Sequence, residues 1–383
     1  MPTRAHFVFL FGICRNIPAN PEQKYKVSSG TEPTLHTQRD KGPPANKIQY
    51  SKQKQHKAVH SPTRPVAMET EWTPSNSKNQ PMHPLDTLRA NISELPHIHT
   101  LHTLTAHQLR HLRQPDNGMR IQPGTYISLP REPTPHDALR TIQLAQIAAS
   151  ITRGKPEDTI SHHSAALLWG FPHFGGTQAV NIFRPPGGNY RRVGHKVRTA
   201  KLSAHEIHIE GSVRLTSFVR TTLDFAAALP PHFGLAAIDH ARAAGVQLAE
   251  LLEAPNSYPN GIPTRIRALI NISVANAESP QESVTRYWLR RAGLTNVQTQ
   301  VKVRSGTRNY YLDCAVPELK LAAEYDGRGK YTSPQALYDE KLREDAIRAQ
   351  GWTFIRLTAQ DLRNPVALMT RFRNVARGLG WQG

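Results

Sequence analysis

The chain has 383 residues and a formal net charge of +19, with 48 lysine and arginine residues against 29 acidic ones. This length allows two or three domains of about 150 residues each. The charge favours a polyanionic partner, either nucleic acid or an anionic membrane surface. The two cysteines, Cys14 and Cys314, are too few and too far apart for a disulfide framework or a zinc site, so a reducing cytoplasm is expected.

Residues 1–90 predict a disordered basic tail. They are rich in proline, glutamine, lysine, serine and threonine, with few apolar side chains to form a core. The apolar run at residues 7–14 is shorter than the about 20 residues that span a bilayer, and no A-x-A-like cleavage site follows it. We therefore expect no membrane association. A start set too far upstream, with Met68 or Met82 as the first residue, is an alternative account of this segment.

Residues 91–135 predict a helix followed by a short β-wing. Thr105 is a candidate N-cap for the helix in LTAHQLRHL, and GMRIQPGTYISL holds two short strands around Pro123 and Gly124. This pattern resembles the small winged-helix module at the N-terminus of the type IV abortive-infection antitoxin family. An incidental basic helical hairpin is the alternative.

Residues 136–260 predict a mixed α/β region. Helices are expected at 137–151, 161–170, 220–229 and 234–245, and short strands at 180–184, 191–202, 205–211 and 213–217. The segments SHHSAALLWGFP and VRLTSFVRTTLDFAAAL resemble the middle region of the same antitoxin-like proteins. Asp224 follows Arg220 by four residues on a helix, which predicts an ion pair rather than a catalytic role.

A glycine-rich basic segment lies within this region, FRPPGGNYRRVGHKVRTAK. A hairpin with dispersed cations suits a duplex backbone. We expect Arg191, Arg192 and Lys196 to contact DNA phosphates.

Residues 275–383 predict a helix, two hairpin strands, a basic helix and a final strand. The first helix has Pro280 at its first position and Gly293 after its last turn. The strands are expected at 311–316 and 321–326, where apolar and polar side chains alternate with a period of two. The sequence as a whole therefore predicts a multi-domain α/β (α+β) protein that ends in a mixed sheet flanked by helices.

Two carboxylates stand where a buried strand should not carry them. Asp313 and Glu324 lie on the two hairpin strands, and an unpaired charge in an apolar sheet costs several kcal/mol. They suggest a shared cation, although two edge-strand carboxylates facing water would give the same pattern. Glu282 has the spacing of a capping box with Ser279, in which its carboxylate bonds back to the Ser279 amide.

The order of these elements resembles the restriction-endonuclease-like, PD-(D/E)XK fold, and in particular the domain related to very-short-patch-repair endonucleases. The matching segments are SPQES (279–283), LDCAVPELKLAAEYDG (312–327), EKLREDAIRAQGW (340–352) and FIRLTAQDL (354–362). The resemblance implies a Mg²⁺ site, with Mn²⁺ able to replace Mg²⁺, held by Asp313 and Glu324 with Glu282 nearby.

The family signature usually places a lysine two residues after the last carboxylate, but here that position is Asp326. The resemblance then implies that Asp326 belongs to the catalytic set and that the lysine role moves to Lys330 or Lys341. Arg343 and Arg356 are expected to approach the DNA backbone. A plain turn at Asp326 and a solvated loop lysine at Lys330 are the structural alternative.

The leading hypothesis is a cytoplasmic, Mg²⁺-dependent endonuclease acting on double-stranded DNA. The resemblance implies a link to phage defence or toxin–antitoxin biology, with a toxin as a further partner. The alternative is a non-catalytic DNA-binding regulator of antitoxin type that keeps a degenerate nuclease fold.

Overall fold

A computed structural model describes residues 82–114, 117–128, 135–174, 179–187, 194–253, 258, 261–326 and 333–383. Within these residues there are twelve helices and three sheets, so the predicted α/β class is confirmed. Most of the predicted tail, residues 1–81, lies outside the described residues. Helix α1 (Pro84–Ser93) begins six residues before the predicted end of the tail at residue 90, and it buries Leu88 completely.

The predicted helix and wing are confirmed in the segment after α1. Its elements are β1 (His99–Thr100), α2 (Ala106–Leu112), β2 (Gly118–Gln122) and β3 (Thr125–Ser128), with the strands in the order β1-β3-β2. Thr105 caps α2 as predicted, since its hydroxyl accepts the Gln108 amide at 3.2 Å while the Gln108 side chain accepts the Thr105 amide at 2.9 Å. Gly124 supplies the left-handed backbone, φ +72°, that the turn between β2 and β3 requires.

The middle region folds around a five-stranded sheet in the order β6-β5-β4-β8-β7. Its elements are α3 (Pro135–Arg153), β4 (Thr159–Ile160), α4 (His162–Leu168), β5 (Val180–Arg184), β6 (His195–Thr199), β7 (Ile207–Glu210), β8 (Val213–Thr216), α5 (Phe218–Ala228), α6 (Pro231–Ala243), α7 (Leu248–Leu252) and α8 (Thr264–Asn271). The predicted Arg220–Asp224 ion pair is confirmed at 2.9 Å, and both side chains are buried.

The C-terminal part is a four-stranded sheet in the order β12-β11-β10-β9. Its elements are α9 (Pro280–Arg291), β9 (Gln298–Ser305), β10 (Arg308–Val316), β11 (Leu321–Tyr325), α10 (Pro334–Arg348), β12 (Thr353–Leu357), α11 (Ala359–Leu362) and α12 (Pro365–Gly378). Strands β9, β10 and β11 are antiparallel, whereas β11 and β12 run parallel. The predicted order is confirmed, and β9 is an additional strand that the sequence did not predict.

Helices cover both faces of this sheet. On one face Cys314, Ala323 and Ile355 pack against Leu289 of α9 and Phe372 of α12. On the other face Leu312, Ala315 and Ala322 pack against Ile347 of α10. Burial on both faces explains why the paired segments 314–316 of β10 and 321–323 of β11 are apolar throughout.

Helix α9 also packs against α6, so the sheet is joined to the middle region. Arg286 of α9 makes a 2.5 Å ion pair with Asp239 of α6, and both side chains are almost completely buried. The guanidinium also donates to the Ile272 carbonyl, and the Asp239 carboxylate accepts the Val274 amide at 2.8 Å. These bonds offset the cost of burying two charges.

No helix among the described residues is long and apolar enough to cross a membrane.

Candidate functional site

Glu282 lies in the first turn of α9 with its side chain turned back over the helix N-terminus. Its carboxylate accepts hydrogen bonds from the Ser279 hydroxyl at 2.9 Å and from the Glu278 amide at 3.0 Å, while the Ser279 hydroxyl accepts the Glu282 amide at 3.2 Å. The predicted cap is therefore present, but the backbone bond goes to Glu278 rather than to Ser279. The helix N-terminus supplies donors that a buried carboxylate needs.

Asp313 is the charged neighbour of Glu282. Burial and the negative charge of Asp313 raise the pKa of Glu282 from 4.5 to about 7, and only 6% of the Glu282 surface is exposed. Burial, Glu282 and Asp313 also raise the pKa of the Cys314 thiol, whose sulfur lies 3.4 Å from the Glu282 carbonyl oxygen. A carboxylate whose pKa is raised by burial and by a second carboxylate beside it is typical of a site that binds a cation.

An irregularity in the sheet places Asp313 on the α9 side. Leu312 and Ala315 both pack towards α10, whereas strict alternation would put residues three apart on opposite faces. The register between β9 and β10 omits one pair, Gln300 with Asp313, and Gln300 has a left-handed φ of +53°. The Gln300 side chain donates to Glu282 at 3.2 Å. This distortion therefore gathers Glu282, Gln300 and Asp313.

Glu324 has a different environment. It is 1% exposed, and its two oxygens each form a 2.7 Å ion pair, one with Arg343 of α10 and the other with Arg356 of β12. Glu340 of α10 binds both arginines and Glu344 binds Arg356 and Arg348, so three glutamates and three arginines balance within one network. Glu324 is thus committed to holding α10 and β12 against β11, and the expectation that it shares a cation with Asp313 is not met.

The remaining predicted catalytic residues lie apart. Asp326 follows the end of β11, where its amide donates to the Leu357 carbonyl at 2.7 Å and its Oδ1 is buried with no hydrogen-bond partner in the described structure. Lys341 is exposed on α10. Lys330 lies outside the described residues.

The residues predicted to contact DNA lie in different environments. Arg343 and Arg356 are internal ion-pair partners, and their side chains are only 21% and 22% exposed. Lys196 is exposed on β6, an edge strand of the middle sheet, whereas Arg191 and Arg192 lie outside the described residues. Of these cations, Lys196 alone is described as open to a phosphate.

Two of the three predicted carboxylates form a donor set that fits Mg²⁺. Mg²⁺ is commonly bound through one or two carboxylates plus water and substrate phosphates, and Glu282 with Asp313 provides such a pair. Across the described ranges, no group of three or more His, Cys, Asp or Glu side chains is placed to hold a metal ion. The three-carboxylate set predicted from the sequence is therefore not assembled, since Glu324 is absent from it.

Sequence reasoning missed two residues that shape this site. Gln300 lies on β9, which was not predicted, and nothing in QTQVKV marks a left-handed glutamine. Arg356 was interpreted as a DNA contact, although an arginine alone in the apolar strand FIRL, beside a strand with a single glutamate, was a signal for the pair. Glu324 and Arg356 are in fact neighbours in the parallel register.

Comparison with known proteins adds little to this geometry. No protein-family model matches the chain. It is 29% identical over 98 residues to uncharacterized protein MT2308 of Mycobacterium tuberculosis strain CDC 1551 / Oshkosh, and equally to uncharacterized protein Rv2248 of strain ATCC 25618 / H37Rv. The match covers 25% of this chain and 36% of each relative, so this chain spans about a third of the length of the relatives.

Proposed function

We propose that this chain is a DNA-binding protein with a Mg²⁺-dependent endonuclease site in its C-terminal sheet, and that Glu282 and Asp313 hold the metal. The observation that carries the proposal is the pairing of these carboxylates at the N-terminus of α9, where the pKa of Glu282 is raised to about 7 by burial and by Asp313. The sheet order and the helices on both faces support the resemblance to very-short-patch-repair endonucleases.

The charge of the chain supports a nucleic acid as the partner. The net charge of +19 gives a polyanion a long-range attraction that an acidic or neutral chain would lack. Double-stranded DNA is the substrate that the resemblance implies. A role in phage defence or beside a toxin would follow from the antitoxin-like middle region and belongs to the same proposal.

Each protein group has a separate task in this site. When bound, Mg²⁺ supplies a nucleophilic water at neutral pH and neutralises charge on phosphate oxygens. The Ser279 hydroxyl, the Glu278 amide and the Gln300 side chain hold the Glu282 carboxylate in one orientation. The Glu324 network fixes β11, β12 and α10 so that the strand carrying Asp313 has a rigid neighbour.

A second function is favoured by the position of Glu324. Because both of its oxygens are bonded to arginines, the carboxylate usually expected in a nuclease site is occupied. A non-catalytic DNA-binding regulator that keeps this fold as a scaffold would have this arrangement. Such a protein would bind duplex DNA and would leave it intact with any divalent metal.

A plasmid-nicking assay on the full chain separates the two functions. The wild type is incubated with supercoiled DNA in Mg²⁺, in Mn²⁺ and in a chelator, beside Asp313→Asn and Glu282→Gln. Asp345→Asn is the matched control, because Asp345 is an exposed aspartate on α10. The nuclease is supported if metal-dependent nicking is lost in the two site variants and kept in the control. Binding without nicking in either metal contradicts it and favours the regulator.

A further inference from the structure

One face of the β9–β10 hairpin carries exposed side chains, and none of the described helices or strands packs over it. Strand β11 pairs with β10 only from Cys314 to Val316, so the part of β10 before Leu312 continues beyond β11 as a two-stranded ribbon with β9. Val303 and Leu312 of this ribbon pack towards α10. Its opposite face is therefore left to solvent.

The uncovered face is basic and aromatic. Lys302 stands opposite Tyr311, and Arg304 stands opposite Asn309, so the four side chains share one face. All four are exposed, and Tyr311 is 52% exposed despite its large ring. The Tyr311 hydroxyl adds a group that can bond to a phosphate or sugar oxygen beside these cations.

The cations of this face are not used inside the protein. Lys302 forms no ion pair in the described structure, and Arg304 donates only to the Gly306 carbonyl at 3.3 Å, in its own turn. Arg343 and Arg356, by contrast, are bound to three glutamates. Lys302 and Arg304 are thus available to bind a phosphate, whereas Arg343 of α10 and Arg356 of β12 are held by glutamates.

The face leads directly to the carboxylate pair. Gln300 and Asp313 are two residues away from Lys302 and Tyr311 along β9 and β10, and they lie beside Glu282. A strand advances about 3.3 Å per residue, so Tyr311 is about 7 Å and Asn309 about 13 Å from Asp313 along β10. A nucleic-acid strand lying along this face would reach the acidic pair without turning.

We propose that this ribbon is the surface that binds double-stranded DNA, with Lys302 and Arg304 on backbone phosphates and with Tyr311, opposite Lys302, nearer than Arg304 to the Glu282–Asp313 pair. A two-stranded ribbon is narrow enough to enter the major groove of B-DNA, and the free cations complement the phosphates. The inference rests on the proposed function, because it assigns the substrate surface of the same site.

The test compares two double variants of the full chain. Lys302→Ala with Arg304→Ala removes the ribbon cations. Arg291→Ala with Arg377→Ala removes two exposed arginines in the last turns of α9 and α12, at the other end of α9 from Glu282. Affinity for a random-sequence duplex is measured from 50 to 300 mM salt, since each lost phosphate contact lowers the slope of log affinity against log salt by about 0.9.

The ribbon variant is expected to bind at least tenfold more weakly at about 0.1 M salt, with a slope lower by about 2, while the arginine control binds like the wild type. Tyr311→Ser is expected to weaken binding without changing the slope, because it removes no charge. Equal affinity and slope in the ribbon variant and the wild type would overturn the inference.

Failure of the inference is distinguishable from failure of the proposed function. If the wild type cleaves DNA and the ribbon variant cleaves with the same KM, only the assignment of the ribbon is wrong. If the wild type binds DNA with the expected slope change but cleaves nothing, the ribbon stands and the nuclease is wrong. If the wild type binds no duplex at low salt, both are wrong.

Discussion

Asp313 and Glu324 each lie one residue beyond the last paired residues of β10 and β11, Cys314 and Ala323, yet their carboxylates have different partners. The negative charge of Asp313, together with burial, raises the pKa of Glu282 at the N-terminus of α9. Glu324 binds Arg343 and Arg356 from α10 and β12. The two carboxylates that look equivalent in the sequence therefore have different roles.

Mg²⁺ should stabilise the wild type and not Asp313→Asn. A ligand that binds only the folded state adds about 1.4 kcal/mol of unfolding free energy when its concentration is ten times its Kd. Thermal melting of both proteins with and without Mg²⁺ measures this. A wild type whose melting temperature is indifferent to Mg²⁺ and Mn²⁺ would contradict a metal at Glu282 and Asp313.

Glu324→Gln should lower the melting temperature and leave the response to Mg²⁺ unchanged. The substitution leaves two arginines without their shared carboxylate, and breaking a buried charge pair costs about 3 kcal/mol. The variant should therefore melt earlier than the wild type but keep its response to Mg²⁺. Melting curves in the same buffers decide the point. Loss of the Mg²⁺ response with no loss of stability would indicate that Glu324 binds the metal.

Much of this region follows from local sequence. The alternation of Leu312, Cys314 and Val316 predicts a buried strand, and Ser279 with Pro280 predicts where α9 begins, because these signals depend only on neighbouring residues. The face that Asp313 takes could not be predicted in this way. Period two assumes an unbroken ladder, and the break at Gln300 has no glycine or proline to mark it.

The same limit applies to contacts between distant segments. The pairing of Glu324 with Arg356 depends on the register that α10 imposes on two parallel strands. Single residues in LAAEY and FIRL indicate that each charge needs a partner, but not which partner it has. Local patterns therefore predicted the fold class and the order of these elements along the chain better than the membership of the site.

The stability of the protein should fall as the pH rises through the titration of Glu282. Burial and Asp313 raise the folded pKa of this group from 4.5 to about 7. Between these values the folded state binds more protons than the unfolded state, so the unfolding free energy decreases with rising pH. The decrease is at most about 3 kcal/mol. It occurs between pH 4.5 and about 7 and then levels off.

Denaturant melts of the wild type and Glu282→Gln across that pH range isolate this contribution, since other groups titrate in both proteins. The difference in unfolding free energy between them should change across the window, with the wild type losing more stability. Added Mg²⁺ should reduce the loss, because a bound cation favours the ionised carboxylate. A constant difference from pH 4.5 to 7 would show that Glu282 titrates normally.

The buried pair of Arg286 and Asp239 provides the last prediction, which concerns how the C-terminal sheet is attached. Arg286→Met should destabilise the protein by about 3–5 kcal/mol, because it leaves the Asp239 carboxylate buried without its cation. Asp239→Leu should cost a similar amount by leaving the guanidinium unpaired. The double variant should cost much less than the two single variants together, since two apolar side chains pack where two charges were desolvated.

Chemical denaturation of the four proteins measures the coupling. Because α9 carries both Arg286 and Glu282, the single variants should also weaken Mg²⁺ binding, whereas the double variant should recover it. Additive losses in the cycle would mean that the pair contributes nothing to holding α9 against α6.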